Sequence, residues 1–396
     1  MNTAARRPRI LVVLHELSRS GAPKLVLDLF EGLAADVDVR FLAIRGGPLA
    51  DRCRTLGKLD ILPRMPLGGP MAQKLGARFE RAYTKGLRLL LSSLSTELTK
   101  WNPDLIYLNS VWSAPVSKNI DLPSAPILLH VHELQIGISM AVRLYRKQLL
   151  ERPSYYIAVS DSVRNALIGD HGVSETIVET IHGAVPDQYV ADNGNIQPRI
   201  FPTGKPLTVG GCGTPYWRKG IFLWLQTARA VIDHLGPDAV QFQWIGVSDP
   251  DEMLMCVESA RKLGVENSVE FIASTPEPLT WFRNFDIFAM TSIEDPCPIV
   301  VLENMMLGTP VICFADGGGT VEEIGDTGIS IPNFSVAQMA EEIIALSADR
   351  DRLQAIGQGA YERIRSHFLV STQAPKILSA INRAVKMSEA VSQSQG

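Results

Sequence analysis

Ile287-Phe288-Ala289-Met290-Thr291, Ser292-Ile293-Glu294-Asp295-Pro296-Cys297-Pro298 and Ile299-Val300-Val301-Leu302-Glu303-Asn304-Met305-Met306-Leu307 are consecutive, and they read as a strand, a loop and a helix. The first run is short, apolar and part aromatic, as a buried strand requires. The two prolines of the middle run favour a loop. Asp295 lies in that loop, and Glu303 stands eight residues on, about one turn into the helix. A helix start offers unpaired N–H groups and the positive end of its dipole, which suits a diphosphate. A carboxylate such as Glu303 can accept two hydroxyl hydrogen bonds, as a ribose diol requires. The same acids admit a plainer reading, an acidic loop that complements a helix dipole.

The unit recurs along the chain. In the first half, strands are expected at Ile10–Leu14, Val37–Ala43, Leu105–Leu108, Ile127–His132 and Tyr156–Val159. An amphipathic helix is expected over Pro23–Leu33, with Leu25, Leu29 and Leu33 on one face. The stretch from Val185 to Pro206 carries four prolines and loses both periodicities, so it reads as a linker. Strands are then expected at Leu207–Gly210, Gln241–Ile245, Val269–Ile272, Ile287–Thr291 and Pro310–Phe314. Helices are expected at Ile221–Leu235, Asp251–Leu263, Ile299–Leu307 and Ser335–Ser347. This α/β alternation predicts two doubly wound, Rossmann-like domains, residues 1–185 and 207–373, joined by a linker over 186–206. Ligands bind such sheets at the carboxyl ends of their strands. Two of them facing across a cleft would suit a two-substrate enzyme.

Composition removes several alternatives. A length of 396 residues fits two domains. A net charge of −4 gives no chain-wide basic footprint for nucleic acid. The five cysteines are odd in number and form no CxxC pair, which argues against a disulfide framework or a structural zinc site and favours a reducing cytosol. The apolar run after Arg6, Arg7 and Arg9 stops at His15-Glu16, too early for a signal core. No run approaches a membrane span.

Four further loops carry chemistry. Gly210-Gly211-Cys212-Gly213-Thr214-Pro215-Tyr216-Trp217-Arg218-Lys219-Gly220 follows a strand and opens a helix. Its glycines permit close backbone approach, and Arg218 and Lys219 supply charge for phosphate oxygens. It fits neither a GxGxxG fingerprint nor a P-loop. The alternative is a solvated charge pair, although the helix dipole disfavours cations there. Ala315-Asp316-Gly317-Gly318-Gly319-Thr320-Val321-Glu322-Glu323 places three glycines before a helix, an N–H-rich concavity that can hold an anion or a sugar oxygen. Ser18-Arg19-Ser20-Gly21-Ala22-Pro23 joins the first strand to the first helix, where Gly21 permits ligand approach. His130-Val131-His132-Glu133 ends a strand, so His132 reads either as a site residue or as a polar cap.

Together these motifs resemble the large retaining glycosyltransferase family 4, in a form associated with bacterial surface polysaccharides. The segment around Asp295 and Glu303 is similar to that family's Glu-x7-Glu signature, with Asp295 in place of the first Glu. The resemblance runs from Ile10 to about Phe368. It implies the GT-B fold, two Rossmann-like domains, with a last helix (about 374–390) crossing back to the first. It implies a nucleotide-sugar donor and a hexose-type transfer to a glycan or lipid-linked acceptor in polysaccharide or lipopolysaccharide synthesis. By the same resemblance Asp295 contacts the donor sugar, with Glu294 able to share the role, and Glu303 contacts the ribose. Backbone at Cys297, Pro298, Ile299 and Val300 lies over the sugar and diphosphate. Lys219-Gly220 matches the family's Lys-Gly, while Thr214 replaces its Arg, so Arg218 stands in beside Lys219 on the diphosphate. Gly213, Gly318 and Gly319 line the donor, Glu322 matches the acid of a Gly-Gly-x-x-Glu loop, and Gly21-Ala22 closes over the phosphates. His132 stands near the reacting carbon, and His182-Gly183 is structural.

No cofactor and no metal are expected. Asp249-Pro250-Asp251 has the spelling of a metal motif but follows a different strand. Lys74, Arg78, Arg81, Lys85 and Arg88 are spaced 4, 3, 4, 3, a stripe suited to an anionic membrane surface or to solvent. The expected location is cytoplasmic, with peripheral contact at the inner face of the cell membrane. Two other functions share these features: a sugar-nucleotide epimerase, which would release free nucleotide and sugar, and a non-catalytic nucleotide-sugar-binding subunit.

Overall fold

The computed structural model describes residues 6–63, 76–118, 120–191 and 205–394. The chain divides into two compact units. Unit 1 comprises Met1–Ala158, Arg164–Ile181 and Ala374–Gly396, and unit 2 comprises Val159–Val163 and His182–Gln373.

Unit 1 holds seven parallel strands: β1 (Arg9–Leu14), β2 (Asp38–Ala43), β3 (Lys58–Ile61), β4 (Leu105–Asn109), β5 (Ile127–Val131), β6 (Tyr155–Ala158) and β7 (Val178–Thr180). Their order is β3-β2-β1-β4-β5-β6-β7. Unit 2 holds six: β8 (Leu207–Cys212), β9 (Val240–Val247), β10 (Val269–Ala273), β11 (Ile287–Met290), β12 (Val311–Phe314) and β13 (Ile329–Ile331), in the order β10-β9-β8-β11-β12-β13. Both sheets reverse direction beside their first strand, between β1 and β4 and between β8 and β11. In a doubly wound sheet that reversal opens a crevice at the carboxyl ends, the usual ligand position.

Every strand expected from the sequence is present, with ends shifted by one or two residues. The central strands are mostly apolar and buried because helices cover both faces of a parallel sheet. Three strands escaped the sequence reading: β3, β7 and β13 are edge strands of three or four residues with partly exposed side chains. An edge strand lacks the long apolar run, so its signal is weak. Polar pairing substitutes for it at β3, where buried Arg40 donates to Asp60 at 2.7 and 2.9 Å.

Helix α1 (Gly21–Gly32) buries Leu25, Val26, Leu29 and Phe30. Helix α2 (Gly76–Trp101) contains most of the basic stripe. Lys74, and the side chains of Arg78, Arg81, Lys85 and Arg88, lie outside the described residues, as does most of the expected linker, residues 192–204. Helix α3 (Ile221–Leu235) matches its expected span and packs fully buried Trp224 against Phe242 and Trp244. Asp249 serves the fold: its carboxylate accepts from Asp251 N and Glu252 N, both at 2.9 Å, and caps the helix Pro250–Leu263. The last helix, Val370–Ser394, is longer than expected. Its buried Ile377, Ala380, Ile381 and Ala384 belong to unit 1, and Arg383 binds Tyr155 Oη at 3.1 Å and the Glu179 carboxylate. No helix of the described residues is long and apolar enough to cross a membrane.

Candidate active site

In unit 2 three loops meet at the β8/β11 reversal. After β8 the chain passes through Gly213 to Arg218 and Lys219, and after β11 it runs through Asp295 into the helix Ile299–Met306. The Lys219 ammonium pairs with the Asp295 carboxylate, and Arg218 Nη1 stands 3.8 Å from the same oxygen. Asp295 is only 4% exposed, so without these cations its charge would be costly. The loops are also sewn together through backbone: Ile293 N donates to Arg218 O at 2.7 Å, and Arg218 Nη1 donates to Glu294 O at 3.3 Å.

Glu303, 2% exposed, sits near Cys212 at the end of β8. Burial pushes the Cys212 thiol up to about 12, the Glu303 carboxylate adds to the rise, and Lys219 opposes it. Lys219, distant in sequence, therefore gathers with Asp295 and Glu303 around the end of β8. Val300 is partly exposed, while Pro298 and Ile299 are buried at the start of the Glu303 helix.

The glycines correct part of the sequence reading. Gly210 and Gly211 do not open the backbone to a ligand: a Cβ on Gly210 would meet the Phe285 ring at 2.1 Å, and one on Gly211 would meet Trp244 at 2.5 Å. These positions are small so that core aromatics can reach the sheet. Gly213 differs, with φ +139° and the aliphatic stem of Lys219 alongside it. Gly220, at φ +67°, passes so close to Thr291 O that a Cβ would lie 1.9 Å away.

The Gly317–Gly319 turn is likewise committed to protein. Asp295 N donates to Gly317 O at 2.8 Å, and Gly319 N donates to Asp295 O at 2.9 Å. The turn is thus a short bridge that carries Asp295, and its Gly319 N–H is spent on that loop rather than on an anion. Beyond it, Glu322 and Glu323 point to different partners. Glu322 accepts from Asp161 N (2.6 Å), Ser162 N (2.9 Å), Ser162 Oγ (3.0 Å) and His182 Nε2 (3.0 Å), and so caps the short helix Asp161–Asn165. Burial alone would raise its pKa, but these hydrogen bonds outweigh it and hold the carboxyl below its ordinary value. His182 thus joins the Glu322 clamp, and the Gly183 N–H meets Cys297 Sγ at 3.3 Å.

Glu323 is fully buried beneath Cys297, whose thiol donates to Glu323 Oε1 at 3.0 Å. Burial, with Asp295 and Glu322 nearby, holds its carboxyl well above the usual range, against the opposing pull of Cys297 and Lys219. The sequence reading passed over Glu323. Adjacent glutamates give no spacing signal that one faces inward.

In unit 1 the corresponding edge joins the loop after β1, the end of β4 and the end of β5. Buried Asn109 donates through Nδ2 to Ala22 O at 3.1 Å, which ties the first turn of α1 to β4. Gly21 is exposed at the start of α1. His132 Nε2 meets Asn109 Oδ1 at 2.8 Å, and its ring lies 4.1 Å from that of His130. Glu133 turns back to accept from Ser110 Oγ, from Val111 N at 3.2 Å and from His132 N at 3.1 Å. Burial holds the His130 imidazole down to about 3. His132 is held well below its ordinary value by burial, then by His130 and His15.

Known proteins share this architecture. A family model described as "Glycosyltransferase Family 4" matches residues 19–189, and one described as "Glycosyl transferases group 1" matches residues 205–349. A D-inositol 3-phosphate glycosyltransferase of Kribbella flavida is 32% identical over 108 residues, 26% of either chain. The matched segment thus spans about a quarter of the length of such relatives. The Vi polysaccharide biosynthesis protein VipC/TviE of Salmonella typhi is 24% identical over 53% of this chain and 38% of its own. Among solved structures, Anabaena Alr3699/HepE in complex with UDP and glucose has a TM-score of 0.69 at 17% identity, covering 94% of this chain and 99% of its own. WaaG, a glycosyltransferase involved in lipopolysaccharide biosynthesis, has a TM-score of 0.68 at 15% identity, covering 96% and 99%. The solved structures share the fold, and with the two family models falling on the two sheets in turn, the chain belongs to the family 4 glycosyltransferases.

Proposed function

We propose that the protein transfers a hexose-type sugar from a nucleotide-diphosphate donor to a glycan or lipid-linked acceptor, with retention of configuration and without a divalent ion. The carrying observation is the convergence of Lys219, Asp295 and Glu303 at the reversal point of the unit 2 sheet. Glu303 binds the ribose hydroxyls of the donor. Lys219, with Arg218 close by, takes the diphosphate, whose charge grows as the sugar–phosphate bond breaks. A diphosphate that draws Lys219 away frees the Asp295 carboxylate to accept hydrogen bonds from the donor sugar. The kinship with HepE, solved with UDP and glucose, supports a nucleotide-sugar donor, and the kinship with WaaG supports a role in surface polysaccharide synthesis. The acceptor then meets the enzyme on the cytoplasmic side of the membrane.

A thermal-shift panel of UDP-, GDP- and dTDP-sugars is the first test. A donor present at 100 times its Kd adds about 2.7 kcal/mol of stability and should stand out. Glu303→Ala should remove that shift while leaving the ligand-free melting temperature within a few degrees; an unchanged shift would remove Glu303 from the donor site. Transfer should persist in excess EDTA, and its loss there would overturn metal independence. Release of free nucleotide and sugar without an acceptor would point to the epimerase instead.

A further inference from the structure

Asn109 closes β4 fully buried, and its amide is held at both ends. The Ala22 carbonyl can only accept a hydrogen bond, so the group facing it at 3.1 Å is the amide nitrogen. The amide oxygen then faces His132 Nε2 at 2.8 Å. An amide oxygen also can only accept, so the proton of the neutral imidazole sits on Nε2. Nδ1 is left with a bare lone pair. The ring is neutral, because burial and the neighbouring imidazoles of His130 and His15 disfavour its charged form.

We propose that Asn109 is a positioning residue that locks His132 as the Nε2–H tautomer, so that Nδ1 accepts a hydrogen bond from a substrate hydroxyl. The chemical class of the ligand follows. A sugar or alcohol hydroxyl can donate to Nδ1, whereas an ionised phosphate oxygen cannot. The unit 1 edge thus selects a hydroxylated substrate over an ionised phosphate. This rests on the reading of His132 as a site residue in transfer.

The groups packed around the ring are known. His15, from the loop after β1, lies 3.8 Å from the Glu16 carboxylate, with Arg45 bound to Glu16 at 2.9 Å. His130, from β5, pairs its Nδ1 with Tyr107 Oη of β4 at 2.6 Å. Glu133 takes the backbone N–H of His132 rather than its ring.

Long-range 1H–15N NMR on the full chain reads the tautomer directly, with the His132 signals assigned by their loss in His132→Gln. The expected pattern is an unprotonated Nδ1 and a protonated Nε2 at neutral pH; the reverse would overturn the proposal. Asn109→Asp places a carboxylate against Nε2–H, which stabilises imidazolium and should raise the His132 pKa by about 1–3 units. An unmoved ring pKa would also overturn it. The acid limb of kcat/KM should rise in parallel, since a protonated ring cannot accept. A purely structural role would lower activity evenly across pH. Should the ring pKa rise while the pH profile stays put, the tautomer lock stands and the placing of His132 in the reaction falls.

Discussion

Lys219→Ala is expected to lower transfer by roughly 10²–10³-fold in kcat, the usual cost of removing one preorganised charge stabiliser, or about 2.7–4 kcal/mol. The side chain is only 14% exposed and lies against the Asp295 carboxylate, so no nearby water replaces it cheaply. Its loss also leaves Asp295 buried, with only the more distant Arg218 as counter-charge. Breaking a buried pair from one side costs about 3–5 kcal/mol, so the variant should melt lower as well. The two effects separate in Lys219→Ala/Asp295→Asn. Removing the second charge should restore most of the melting temperature and none of the turnover. Steady-state kinetics and thermal melts on the three proteins check this. Near-normal kcat in Lys219→Ala would take the cation out of the mechanism.

The second large effect is on stability. Glu322→Ala removes four hydrogen bonds at once and strips the cap from Asp161 N and Ser162 N. Hydrogen bonds to a charged group contribute about 1.5–3 kcal/mol each but do not add fully, so a loss of about 3–5 kcal/mol is expected. At about 2–4 °C per kcal/mol, the melting temperature of unit 2 should fall by roughly 6–20 °C. The pH dependence has a definite sign. The Glu322 carboxyl titrates below its ordinary value of 4.5 in the fold, so the folded state holds its proton less tightly than the unfolded chain. Its contribution is complete above about pH 5 and fades as pH falls through the depressed value. The gap in denaturation midpoint between the wild type and Glu322→Gln should therefore be flat near neutrality and shrink in acid. A gap that widened in acid would contradict the assignment.

Much of this protein was legible before any coordinates. The doubly wound architecture follows from short apolar runs alternating with amphipathic stretches, which are local patterns. Each central strand expected was found because burial on both faces leaves an unmistakable run. Three of the four edge strands, β3, β7 and β13, were missed for the same reason in reverse. Lys219, Asp295 and Glu303 were legible as chemistry, because a cation and two acids at strand-to-helix turns match a known signature.

The sequence could not reveal which groups face which. Gly210 and Gly211 look like a ligand loop in one dimension, and only packing shows that Phe285, Trp244 and Trp224 claim their space. Glu322 and Glu323 are neighbours of one type. One reaches Asp161 and His182, 161 and 140 residues away, and the other is sealed under Cys297. Asn109 drew no notice at a strand end, yet it orders His132 by meeting Ala22 and His132 at once. Periodicity and turn chemistry act over a few residues, so the sequence by itself determined the elements, their class and the family. Hydrogen bonds and burial act across space, so only the tertiary structure decided which glycines are spacers, which glutamate is a clamp, and which nitrogen of His132 holds the proton.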